Sequence, residues 1–298
     1  MVVHSDDNRW EAEAGSERRR AVRLTDSVVA KYPELAGLSL KIADTTAEIE
    51  LAFRLVHDVY AGIGLIDPRP SGLHVIPHQL HPEMRIFVAL LHGEVISTLT
   101  LIPDGPMGLP QDELYAEELR PLREAGRRLA EVGCLAMHPK WQKHDLILFL
   151  YRIMHYYAYH STVDDLCIVA NPRHGRFYQR VLLFEQYGIQ KPFSKVKGAP
   201  AVGYRLDLRS MERRYKEFYS DRGFDANLHD FFFTSWNRDG RLPGKGRPLT
   251  EAECMEFFCR QECLIQRLPP VVLDFLTKAY QAVGRRIDFS ALAVSVGA

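Results

Sequence analysis

The chain has no surplus of charge, few cysteines and no long hydrophobic run, and each shortage excludes a class of protein. Its 38 Lys and Arg are matched by 38 Asp and Glu, giving a formal net charge of zero. A dedicated nucleic-acid binder carries a basic excess, so none is expected here. There are five cysteines, with no Cys-x-x-Cys pair and no nearby histidine to complete a zinc pattern. Neither a disulfide scaffold nor a metal site is expected. Cys134 and Cys167 fall inside apolar runs and read as core thiols. Cys254, Cys259 and Cys263 fall roughly on one helix face. The most apolar helical stretch, Asp145 to Tyr157, is too short to span a bilayer and carries Asp145, Arg152 and His155. An odd cysteine count without a signal-peptide pattern points to a reducing cytoplasm.

What is present is a soluble globular composition of ordinary kind over 298 residues, enough for one or two domains. The charge is unevenly spread. Residues 1–137 hold 14 Lys/Arg against 21 Asp/Glu, and residues 138–200 hold 9 against 4. A basic middle third fits either an acidic or phosphate-bearing partner, or a solvated basic face.

Hydrophobic period and turn residues give the element order. Residues 1–36 read as a mobile or peripheral segment. A strand follows at Leu38–Ala43, then a helix opened by the capping box Thr45-x-x-Glu48 and closed at Gly62–Gly64. Residues 65–83 form a Pro/Gly/His-rich loop suited to covering a substrate. Strands at Arg85–Leu91 and Glu94–Ile102 meet at the His92-Gly93 turn. A helix over Asp112–Glu124, a strand over Arg128–His138, a helix over Asp145–Tyr157 and a strand over Asp165–Ala170 come next. A helix from Arg173 to Leu183, a loop or irregular strand to residue 200 and a strand at Ala201–Leu208 complete this part. Hairpins mixed with βαβ units imply an α/β (α+β) chain with a mixed, mostly antiparallel central sheet flanked by helices. Residues 209–298 read as a helical extension, with helices at Ser210–Tyr219, Glu251–Leu268 and Pro270–Arg285.

The strand LAEVGCLAM is the centre of the pattern. Leu129, Gly133, Leu135 and Met137 alternate with Ala130, Val132, Cys134 and Ala136, apolar on both faces, as in a doubly covered strand. Glu131 is the one charge within it. A buried carboxylate costs several kcal/mol unless it is paired or used. Either it pairs with Arg127 or Arg128, or it is held in the sheet to take a proton.

This order resembles the GNAT acyltransferase fold, in which the strands at Arg128–His138 and Asp165–Ala170 splay to admit a pantetheine-linked acyl group. The segments AFRLVHDVYAGIGLI (52–66), TLTLIPDGPMGLPQDELYAEELRPLREAGRRLAEVGCLA (98–136) and NPRHGRFYQRVLLFE (171–185) resemble the FeeM-type N-acyl amino acid synthases, relatives of the acyl-homoserine-lactone autoinducer synthases. The resemblance covers about residues 38–208 and implies an acyltransferase that moves a long-chain acyl group from an acyl carrier protein thioester to the α-amine of an amino acid. It implies Glu131 as base, a bulge near Leu135–Met137 whose N–H groups face the carbonyl, and Tyr178 as proton donor to the sulfur. Phe149, Met154, Tyr157, Cys167 and Asn171 are expected to border the cleft, the apolar ones being equally suited to plain core packing. Tyr60 is expected on the acceptor side, and Arg54 or Arg69 at the acceptor carboxylate.

In place of the glycine-rich pyrophosphate loop of acetyl-CoA-binding members stands Gln142-Lys143-His144-Asp145-Leu146-Ile147. An acidic carrier protein needs no such loop, and Lys140, Lys143, Arg173, Arg176 and Arg180 are the candidates to meet it. Val56 stands where the autoinducer synthases place a further arginine, which speaks against a homoserine-lactone acceptor. No cofactor is expected to stay bound; acyl-carrier protein or acyl-CoA is the co-substrate, and the lipid product would associate the protein with membrane surfaces. The competing readings are an acyl-CoA-dependent acetyltransferase of a small amine and a non-catalytic lipid-binding module.

Overall fold

The computed structural model describes residues 32–142, 145–222, 227–234 and 244–294. The peripheral segment expected before Tyr32, and Lys143, lie outside the described residues. Seven strands form one sheet in the order β1-β2-β3-β4-β5-β7-β6. They are β1 (Ser39–Ile42), β2 (Arg85–Leu91), β3 (Glu94–Pro103), β4 (Leu129–Met137), β5 (Asp165–Ala170), β6 (Glu185–Phe193) and β7 (Ala199–Asp207). Of the loop or irregular strand expected up to residue 200, most is a strand, β6, irregular between Tyr187 and Lys191. Every pairing is antiparallel except β4 with β5. The β2–β3 hairpin closes through His92 and Gly93, both with positive φ, as the twist of a two-residue turn requires.

Helix α1 (Thr46–Gly62) starts at the Thr45 capping box, with both reciprocal hydrogen bonds made. It covers one face of the sheet, and the helix following β4, here α3 (Leu146–Tyr159), covers the other; α2 (Asp112–Glu124) lies between β3 and β4 in the chain. The helix after β5 is shorter than its sequence pattern suggests: a 3-10 turn over Pro172–His174 and then α4 (Gly175–Arg180).

Two features of β4 build the site. The first is its short pairing with β5, only Leu129–Asp165, Ala130–Leu166 and Glu131–Cys167. Beyond Glu131 the strands part, and β5 continues against β7 alone as far as Ala170. The closed end is riveted by charge. Fully buried Asp165 accepts from Arg127, whose Nη2 lies 2.9 Å from Oδ1, and from Arg205 Nε at 2.7 Å; Arg127 Nη2 also reaches Asp207 at 2.6 Å. Asp165→Ala leaves two arginines converging on an empty site and is expected to cost about 3 kcal/mol, read from chemical denaturation.

The second feature is a bulge. Thr100 pairs with Gly133 and Thr98 with Ala136, so Cys134 and Leu135 together oppose Leu99. Cys134 takes the left-handed conformation, φ 48°. The extra residue breaks the alternation read from the sequence. Ala130 and Val132 belong to the core under α3, with Leu135 and Met137 packing at its edge, whereas Cys134 and Ala136 belong to the core under α1.

The segment after β7 is not an appendage. Its first part, α5 (Leu208–Tyr219) and a π-helical turn Asp230–Thr234, packs Met211, Tyr215, Tyr219, Phe231 and Phe232 into the α3 core. Its second part crosses to α1. Here α6 (Glu251–Glu253) runs on as a π-helix over Cys254–Gln261, followed by α7 (Pro270–Ala282) and α8 (Phe289–Val294). The helix expected to reach Leu268 therefore stops at Gln261. Phe257 and Phe258 meet Phe53 of α1 edge-on, at 5.5 and 6.1 Å between ring centroids. Cys254 and Cys259 are buried and Cys263 is exposed; no cluster able to hold a metal ion occurs among the described residues. Nor is any described helix long and apolar enough to cross a membrane.

Candidate active site

Glu131 is the last residue of β4 paired to β5, so it sits at the apex of the V where the strands separate. It is 5% exposed and makes no ion pair among the described residues. Arg127 is engaged by Asp165 and Asp207, and Arg128 faces Asp164 at 3.6 Å. The salt-bridge alternative for Glu131 is thus not realised. One oxygen accepts the Gln111 backbone N–H at 2.9 Å. Burial pushes the carboxyl up to about 8, against the opposing pull of the Gln111 N–H and the Lys195 ammonium. At neutral pH it is mostly protonated, and it becomes a base just above.

Gln111 precedes α2 and is itself fixed, because Tyr187 of β6 donates to its side-chain oxygen. Tyr187 lies flat on Gly203 of β7, where any Cβ would fall 2.3 Å from its ring. A residue 76 positions from Gln111 thereby holds the base in place. Gly133, next on the same side of β4, leaves the space beside Glu131 open, since a Cβ there would come within 3.9 Å of its Oε1.

Past the apex the bulge turns backbone donors into the opening. The Leu135 backbone lies near the hydroxyl of Tyr60, at the end of α1. His138 N–H bonds to Ile96 O at 2.9 Å, and antiparallel ladders alternate, so the Met137 N–H points away from β3 toward the open side. The bulge lies one residue earlier than the sequence expectation, but both expected residues present donors. Cys134 beside them is no nucleophile: burial pushes its thiol up to about 12.

Tyr178 of α4 stands on the β5 side. Its hydroxyl is 3.5 Å from that of Tyr151, and its ring stacks on Tyr204. Burial raises it to about 12, so it keeps its proton throughout the neutral range. The Tyr60 ring packs against His74 of the 65–83 loop at 5.3 Å, and burial holds its hydroxyl well above the usual tyrosine range.

The remaining expected residues are dispersed. Phe149 and Met154 are buried in the α3 core, Phe149 against Phe231. Tyr157 packs on Phe87 and under Arg85, toward β2 rather than the opening. Cys167 pairs with Glu131 at the apex, and Asn171 caps the Pro172–His174 turn. Arg54 binds Glu50 at 2.6 Å, and Arg69 binds Glu262 at 2.7 Å. Arg173 in the Pro172–His174 turn and Arg176 and Arg180 of α4 are exposed, and Lys140 is exposed beside Trp141. At the start of α3, Asp145 is left-handed (φ 49°) and accepts from Tyr32 at 2.9 Å. A carboxylate thus stands at the α3 N-terminus, although it accepts from none of the first α3 N–H groups. The loop at 65–83 touches the bulge, where Gln79 Nε2 reaches Cys134 Sγ at 3.6 Å. A groove of about 430 Å³ lined by Gln179, Leu183, Phe184, Arg214, Glu217 and Phe218 does not include Glu131 among its walls. Gln111, Tyr187 and Lys195 were not found from sequence. Gln111 sits in the G-L-P-Q turn already singled out, but nothing local shows that it faces Glu131.

A mixed sheet parted at β4 and β5, with a bulge and a buried carboxyl at the parting, is GNAT-like. The profile of the N-acyl amino acid synthase FeeM family matches residues 51–207, and the chain belongs to that family. The solved structure of FeeM, an N-acyl amino acid synthase from uncultured soil microbes, is 27% identical, with a TM-score of 0.52 over 65% of this chain and 97% of FeeM. The AHL synthase LasI is 16% identical (TM-score 0.43; 57% of this chain, 89% of LasI). The CoA-dependent acyl-homoserine lactone synthase BjaI, solved with SAM and isopentyl-CoA, is 15% identical (TM-score 0.41; 79% of this chain, 97% of BjaI). A search of curated proteins finds no match.

Proposed function

We propose that the protein transfers a long-chain acyl group from an acyl carrier protein thioester to the α-amine of an amino acid. The observation that carries this is the unpaired, buried Glu131 at the apex of the β4–β5 opening, with the bulge donors just beyond it. As carboxylate, Glu131 takes the one proton that the neutral acceptor amine loses as its nitrogen attacks the thioester carbon, and the oxygen gathers charge that the Leu135 and Met137 N–H groups stabilise. The C–N bond forms, the C–S bond breaks, and the departing thiolate takes the proton of Tyr178. The apolar walls of the α3 core favour a long chain, at ~0.8 kcal/mol per buried CH₂.

The carrier donor is supported by Asp145 at the α3 N-terminus, which repels a pyrophosphate, and by the exposed Arg173, Arg176 and Arg180, which suit an acidic protein. The test is mass spectrometry of products from purified protein given matched acyl-carrier and acyl-CoA thioesters with mixed amino acids, beside E131Q. N-acyl amino acids made from the carrier thioester and lost in E131Q support the reading. Equal or faster use of acyl-CoA removes the carrier assignment, and products that persist in E131Q remove the base.

A further inference from the structure

The two arginines expected at an acceptor carboxylate are engaged by Glu50 and Glu262. The tip of the β6–β7 hairpin supplies a cation that is not engaged in this way. This tip reaches across the chain before α2 to the 65–83 loop. Lys191 Nζ meets Glu118 at 2.8 Å, Ser194 bonds Glu113, and Lys197 Nζ meets Asp67 at 2.7 Å. Between them, Lys195 Nζ donates to the carbonyl oxygen of Pro110 at 2.6 Å, and no carboxylate lies within ion-pair distance of it among the described residues. Two of the three hairpin lysines are thus neutralised and the middle one is not.

Its position matters. Pro110 directly precedes Gln111, whose N–H holds Glu131. Lys195 is the cation felt by Glu131, and it is also felt by His78 of the 65–83 loop. His78 Nδ1 is shielded from solvent with no hydrogen-bond partner. The Lys195 ammonium, which donates to the Pro110 carbonyl and lies 5.8 Å from the Phe193 ring, keeps donors free for an anion, whereas His78, held neutral by burial with its ring proton toward the Met107 carbonyl, offers that anion no donor at Nδ1. The base carboxyl nearby is largely neutral at pH 7 and does not repel that anion.

We propose that Lys195 binds the α-carboxylate of the acceptor and so selects α-amino acids over simple amines. This deepens the acyl-transfer reading and rests on it for the identity of the ligand. The α-amine and carboxylate of one amino acid are separated by a single carbon, so a carboxylate held at Lys195 delivers the amine toward Glu131.

The test uses the full chain and calorimetric titration with N-dodecanoylglycine and its uncharged counterpart N-dodecanoylglycinamide. The wild type is expected to bind the acid about tenfold or more tighter than the amide, the range of a charge-assisted hydrogen bond. K195M should bind both alike, at the amide's affinity, and K195R should restore the preference. Lys195 is exposed, so K195M should melt like the wild type. No preference in the wild type, or a preference that survives in K195M, overturns the proposal. Turnover is scored separately, with α-amino acids and their amides as acceptors. Here K195M should raise KM for the acids about tenfold and leave KM for the amides unchanged, while kcat at neutral pH falls alike for both because Glu131 loses the pull of the ammonium. A wild type that binds the acid preferentially but forms no product overturns the acyl-transfer reading and leaves the carboxylate site standing.

Discussion

Glu131→Gln will lower kcat/KM about a thousandfold, the range of a lost general base, while the protein stays folded and still binds acyl ligands. Glutamine is nearly isosteric and can still accept the Gln111 N–H, so the loss isolates the proton-transfer role. The wild-type rate should rise with pH through about 8, where the buried carboxyl ionises, and the residual E131Q rate should lack that inflection. A wild-type profile flat between pH 6 and 9 would remove Glu131 as the base. The same substitution should raise stability. Burial lifts the folded-state value far above that of an unfolded chain, near 4.3, so the folded protein holds the proton more tightly. Glu131 therefore destabilises the fold increasingly from about pH 4.3 to about 8, and by a constant amount above. At pH 8.5, E131Q should be more stable than the wild type by ~2–4 kcal/mol in denaturant titrations, with the difference vanishing near pH 4.

The second large effect lies far from the chemistry. Phe257→Ala is expected to cost about 3–5 kcal/mol, the usual loss for a buried phenylalanine, and removal of residues 244–294 is expected to abolish soluble protein. Phe257 is 1% exposed, packs edge-on against Phe53, and shares its core with Ile49, Val56 and Leu73. FeeM aligns over nearly all its own length without a third of this chain, so by alignment alone the extension looks dispensable. The packing says otherwise: α1, which ends in Tyr60, has apolar residues facing both the sheet and the extension. A soluble truncated chain with wild-type melting would refute this.

Much of the fold was legible because local signals agreed. The Thr45 box, the His92-Gly93 turn, the span of α2 and the limits of β5 each follow from residues within a few positions. Glu131 was legible for a different reason, being the one charge in an apolar strand. What was not legible depends on pairing across distance. The bulge inserts a residue without any compositional mark, so strict alternation put Cys134 and Leu135 on the wrong faces. Gln111, Tyr187 and Lys195 reach Glu131 only through the fold, and the engagement of Arg69 depends on Glu262, nearly two hundred residues away. The extension's role was missed because helices with ordinary apolar spacing do not say which surface they cover.

The placement of that extension also shapes how the chain comes off the ribosome. The last strand ends at Asp207, yet the outer flanks of α1 and α3 find their cover only in the residues that follow, up to Val294. At ribosomal speeds of about 5–20 residues per second, the nascent sheet spends several seconds with two apolar helices uncovered. During that interval it is a client for chaperones, and synthesis that stalls or stops anywhere after β7 yields an aggregation-prone intermediate rather than a smaller working enzyme.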